Sequence, residues 1–153
     1  MNGGGPKLIF PGLAGFYETM RPIAYTLMRV VIGVTIFTHG WGKVMGGAAG
    51  VTGYFAKLGM PAPGAMAYWA MFIETIGALC VAAGLFTRFF AAVLAVEMLI
   101  AIYLVHWQNG FLVSVSGGKN GYEYVLLLGI VLFAIAIRGG GPYSIDAKIG
   151  KEL

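Results

Sequence analysis

Apolar residues along the chain gather into four runs, separated by polar and glycine-rich stretches. The runs cover roughly Ile23–Val44, Ala65–Phe86, Phe89–Trp107 and Tyr122–Ile137. Each is apolar all the way round a helix, whereas a soluble surface helix is apolar along one stripe. A helix that crosses a bilayer needs about 20 mostly apolar residues, with ~17–25 the usual range. The first three runs meet that length. The fourth is short and is expected to borrow residues from the turn before it or to thin the bilayer locally. The second and third runs are joined by Thr87-Arg88 alone, which predicts a tight turn and an antiparallel hairpin. The pattern predicts an all-α fold, an integral-membrane antiparallel four-helix bundle. Residues 1–22 form an N-terminal tail, 23–138 the membrane domain and 139–153 a C-terminal tail.

In the N-terminal tail, Phe10, Leu13, Phe16 and Tyr17 could lie on the membrane surface as a short amphipathic segment or belong to a loose tail. No long apolar run precedes a small-residue cleavage site, so no cleaved signal peptide is expected.

Composition sharpens this picture. Of 153 residues, 59% are hydrophobic and 10% are charged, with mean hydropathy +0.83. A soluble domain is nearer ~25% charged. Disorder, a coiled coil and an ordinary soluble enzyme are excluded. Cys80 stands alone, so no internal disulfide and no cysteine-based metal centre is expected, and it reads as a packing residue. The net charge of +4 is read as loop charge that orients the chain, not as nucleic-acid binding. Lys7, Arg21, Arg88, Arg138, Lys148 and Lys151 fall on one side of the predicted bundle and outnumber Lys43, Lys57 and Lys119 on the other. The positive-inside rule then places both termini in the cytoplasm. The expected partners are the bilayer and either other protein subunits or further copies of the chain.

An ionisable group at bilayer depth is costly, at least ~2.5–3.5 kcal/mol on insertion scales, and marks pairing or function. Arg29, Glu74 and Glu97 lie within the runs. Arg29 stays charged and needs a partner. Glu74 on the neighbouring run is the expected one, which leaves Glu97 a surplus carboxylate, expected protonated or solvated. The alternatives for this network are a register-fixing ion pair and a proton path or polar binding site. A second cluster sits near the outer ends: His39 and Lys43 one turn apart, His106, and Glu123, with Trp41 and Trp107 beside them. Two histidines, a lysine and a glutamate there could hold a quinone headgroup or a small anion, with histidine exchanging a proton. The plainer reading is an interfacial belt of aromatic and snorkelling side chains. Glu97 and His106 are nine residues apart, so a regular helix points them to nearly opposite faces. A haem between His39 and His106 is disfavoured, because no attachment motif accompanies them.

Several short motifs combine into a larger likeness. They are Arg29…Gly33…Phe37-Thr38-His39-Gly40…Lys43, then Phe55…Leu58-Gly59-Met60-Pro61, Glu74…Gly77 and Gly84-Leu85-Phe86-Thr87-Arg88. Met98…Ala101, His106…Asn109-Gly110-Phe111, Glu123 and Gly141-Pro142-Tyr143-Ser144-Ile145-Asp146 complete the series. Together, over roughly Ala24 to Asp146, the chain resembles the DoxX family of small four-helix bacterial membrane proteins. The resemblance implies an inner-membrane protein with a quinone connection, because some relatives are membrane subunits of thiosulfate:quinone oxidoreductases. It assigns no catalytic residue. The matching positions are Arg29, His39, Lys43, Glu74, His106 and Glu123, while Glu97 falls outside the motif.

Three functions compete at this point. One is a redox-linked membrane subunit that binds quinone or quinol and relies on a partner for its electron-transfer centre, since no intrinsic cofactor site is evident. Another is an accessory subunit that packs on a larger respiratory or photosynthetic complex through small-residue helix faces. The third is a small proton or solute transporter.

Overall fold

The computed structural model describes residues 7–113 and 120–152. Lys119, counted above for orientation, lies outside them, as does the start of the N-terminal tail. A 3₁₀ turn at Pro11–Leu13 leads into α1, Ala14–Gly46. Then come α2 (Ala48–Lys57), α3 (Pro63–Ala83), α4 (Thr87–Asn109), α5 (Glu123–Arg138) and the short α6 (Ile145–Ile149). The described residues contain no strand. Helices α1, α3 and α4 are long and apolar enough to cross a membrane. Helix α5 has 16 residues, as short as its apolar run foretold.

Two elements differ from the apolar pattern. Helix α1 begins at Ala14 rather than near Ile23, and Pro22 sits inside it. Proline leaves the carbonyl four residues earlier without its helical donor. That residue is Glu18, on an exposed stretch. Helix α2 occupies the stretch Met45–Gly64, which the glycines had marked as loop. Val51, Tyr54, Phe55 and Leu58 give it one apolar face at helical spacing.

Small residues let the long helices approach closely. A Cβ on Gly33 would lie 2.6 Å from the Ala78 carbonyl oxygen, and one on Gly40 would lie 2.6 Å from the Glu74 backbone. These contacts run α1 antiparallel to α3. Gly77 meets Phe90 across the α3–α4 hairpin, and Gly129 meets Met98 between α4 and α5. Ile36, Ile73, Val81, Leu94, Leu132 and Ile135 fill the core and are almost fully buried.

The two ends of this body differ. At the end that holds the α3–α4 turn, residues 139–152 fold back and seal it. The Asp146 carboxylate accepts from Phe86 N at 2.8 Å, Thr87 N at 2.9 Å and Thr87 Oγ1 at 2.7 Å, capping α4 from far along the chain. Asp146 N donates to the Gly84 carbonyl at 2.8 Å. The Tyr25 hydroxyl donates to the Gly139 carbonyl, and Arg138 lies 4.1 Å over the Tyr25 ring. Glu152 accepts from Arg88 Nε and from Gly140 N. At the other end, the Pro63–Phe72 part of α3 packs on α2 and α1 rather than on α4. The helices part there and leave space between them.

Candidate functional site

The arginine expected to pair with Glu74 does not do so. Arg29 is 1% exposed and belongs to the sealed end. Its Nη1 donates to the carbonyls of Val81 at 2.9 Å and Ala82 at 3.0 Å, and its Nη2 donates to Tyr143 at 2.8 Å. The cause is register. The glycine contacts set Arg29 opposite the last turn of α3, where carbonyls lack helical partners and the helix dipole favours a cation. Lys43, about 21 Å further along α1 at ~1.5 Å per residue, comes opposite Glu74 and forms the ion pair instead. The Glu74 side chain is 6% exposed, and its Oε2 is buried without a hydrogen-bond partner among the described residues.

The Lys43–Glu74 pair stands between two cavities at the open end. One, of about 770 Å³, lies against α5 and is lined by His39, Lys43, Glu74, His106, Glu123 and Tyr124 among apolar neighbours. It gathers four of the residues singled out at the outer ends, His39, Lys43, His106 and Glu123. His39 is exposed, with its ring 6.3 Å from that of Tyr124. Glu123 Oε1 accepts from Val113 N at 3.0 Å. Trp41 and Trp107 lie outside both cavities. They stack on Phe37 and Tyr122, with centroids 5.9 and 5.3 Å apart, and are half or more exposed.

The second cavity, of about 780 Å³, lies between α2, α3 and α4. Lys43, Glu74, His106 and Glu97 supply its polar wall, so Glu97 joins Lys43 and Glu74 while Arg29 stands apart. Glu97 and His106 line one space despite their spacing of nine. The reason is a π-helical turn at Ile102–His106, which widens α4 and shifts the phase of everything after it. A second π turn, Ile73–Gly77, carries Glu74. Such turns are rare and gather at functional sites. Both here deliver a polar residue to the shared wall. No local residue pattern announces them.

His106 Nδ1 lies 2.9 Å from the Asn120 carbonyl oxygen, which Asn109 Nδ2 also approaches at 3.1 Å. A carbonyl oxygen only accepts, so Nδ1 carries the hydrogen, and in the neutral ring Nε2 presents a lone pair. Sequence reasoning missed Tyr54, Phe55, Leu58, Met66 and Trp69 of the second cavity. The apolar face of α2 was the signal, hidden by Gly50 and Gly53. Among the described residues no group of histidine, cysteine and carboxylate side chains could hold a metal ion.

Buried charge between lipid-length helices defines a multi-pass protein of the bacterial inner membrane. Residues 24–107 match the sequence profile of the DoxX family. The chain belongs to that family. It is 30% identical over 138 residues to an uncharacterized protein of Haemophilus influenzae, covering 88% of this chain and 97% of that one. It is 33% identical to the Bacillus subtilis protein named "Putative oxidoreductase CatD", over 84% of this chain and 89% of the relative. It is 29% identical to the Escherichia coli "Inner membrane protein YqjF", over 88% and 98%. No solved structure matches the chain.

Proposed function

We propose that this protein is the membrane subunit of a quinone-linked redox complex, an antiparallel four-helix bundle with both termini in the cytoplasm. The quinone ring sits at the wall shared by the two cavities. The observation that carries the reading is Glu74, buried and paired with Lys43 yet with one carboxylate oxygen that has no hydrogen-bond partner among the described residues. Apolar cavities with a few convergent polar groups are where small ligands bind. Lys43 and His39 offer hydrogen-bond donors to a ring oxygen. His106 Nε2 accepts a proton from a hydroxyl, and the carboxyl groups of Glu123 and Glu97 line the cavities on either side. Quinol oxidation releases two protons and two electrons. The protons leave through His106, and the electrons pass to a redox centre on a partner protein. The printed name of the Bacillus subtilis relative is in keeping with a redox role.

The test is binding of a tail-less benzoquinone to the protein in lipid nanodiscs, followed by quenching of tryptophan fluorescence. His106→Ala and His39→Ala are each expected to weaken binding about tenfold, which is ~1.4 kcal/mol. Both should leave the unfolding midpoint unchanged, because neither residue is in the buried core. Equal affinity in wild type and both variants would remove the histidines from the site. No binding by the wild type would sink the proposal.

A further inference from the structure

Along one face, helix α4 lines the second cavity with Ala92, Val93, Val96, Glu97, Ile100 and Leu104. The spacing is that of one helix face, and the stripe runs about 20 Å at ~1.5 Å per residue. The opposite wall is Phe55 of α2 and Leu58 just after it, then Met66 and Trp69 of α3. The space is therefore long and mostly apolar, with Glu97 part-way along α4 and Lys43, Glu74 and His106 at the wall it shares with the first cavity as its charged or titratable groups. Val96 and Ile100 are about half exposed, so the groove opens sideways toward lipid. A ring alone fills the shared wall and leaves the stripe uncovered.

We infer that this groove holds the hydrocarbon tail of the same molecule whose ring meets Lys43, Glu74 and His106, so that the ligand is an amphiphile with a polar ring and a long unbranched or isoprenoid chain. This rests on the ring site proposed above. The occupant is the ligand's own tail rather than a bilayer acyl chain, because the groove is continuous with the ring site and shares its polar wall. The ligand enters from the bilayer through the open side, tail and ring together. The gain from the tail is modest. Lipid is as apolar as the groove, so only closer packing and linkage to the ring contribute.

The experiment compares a tail-less benzoquinone with the same ring bearing a decyl chain, in nanodiscs of fixed lipid composition. Affinities are expressed per mole fraction in the bilayer, which removes partitioning from the comparison. The decyl compound should bind wild type about fivefold tighter. Val96→Trp fills the groove and should abolish that advantage while leaving the tail-less ring's affinity unchanged. Leu99→Trp, on the lipid side of the same helix and outside both cavities, should keep it. Ring binding with no tail advantage in wild type overturns this inference and leaves the ring site standing. A tail advantage that survives Val96→Trp also overturns it, since the chain then lies elsewhere. Failure of both compounds to bind overturns the ring site and the groove together.

Discussion

Arg29 shows how a charge can be settled inside a membrane protein by backbone carbonyls. Its guanidinium spans three carbonyl oxygens from two segments, which a lysine's single ammonium cannot reproduce. Arg29→Gln should therefore destabilise the protein by about 2–4 kcal/mol, as expected when charged buried hydrogen bonds are lost. The checking measurement is the thermal unfolding midpoint in mild detergent. Ligand affinity of the folded fraction should not change, because the site lies about 21 Å away along α1. An unshifted midpoint would mean the three bonds contribute nothing. That Arg29 needed partners was legible in the sequence. Which partners it found was not. Carboxylates are visible as letters, whereas carbonyls freed at a helix end depend on register. Gly84 adds a neighbouring constraint. It sits at φ +75°, and a Cβ there would collide with the Arg29 guanidinium and with Ser144. Gly84→Ala should lower the midpoint even though alanine favours helix elsewhere.

Among the elements, the two π turns matter most. They add girth to α3 and α4 at Glu74 and before His106. Removing one residue from the second turn should restore an ordinary helix. Tyr103, 79% exposed, is the residue to delete. Everything beyond it would rotate by about 100°. His106 would leave the shared wall, and quinone binding should fall at least tenfold while far-ultraviolet circular dichroism stays helical. Retained binding would show that the phase shift is not what places His106. A separate element-scale test is Gly40→Ala. The added methyl meets Glu74 backbone, which cannot swing aside, so α1 must move away from α3. A loss of about 1–3 kcal/mol in stability is expected. The long helices were legible because bilayer-length apolar runs have few other uses. Helix α2 was masked by its glycines, and the π turns by the regular spacing that sequence reading assumes. That His39, Lys43, His106 and Glu123 lie near one another was legible because all four fall at helix ends, although their facing one cavity depends on rotation. Glu97 and Glu74 needed the rotation itself.

Over the whole molecule, one end is sealed and the other is open. The seal is made by residues 139–152, centred on the Asp146 carboxylate at the start of α4. Asp146→Ala removes three hydrogen bonds and the helix cap together, and about 2–3 kcal/mol of stability should go with them. Unfolding in detergent measures it, and ligand binding at the open end should persist in the folded protein.

The same seal has a consequence for biosynthesis. Residues 139–152 leave the ribosome after every helix they bind. Until they arrive, Arg29 lacks its Tyr143 carbonyl, Tyr25 lacks that of Gly139, and the first turn of α4 has no cap. A nascent chain is thus held in an unfinished state, with Arg29 short of one acceptor and helix donors unsatisfied, until residues 139–152 dock. Membrane proteases that sample loosely packed helices would meet a chain cut short before residue 139 in that condition permanently. A chain that includes residues 139–152 would pass through it only briefly.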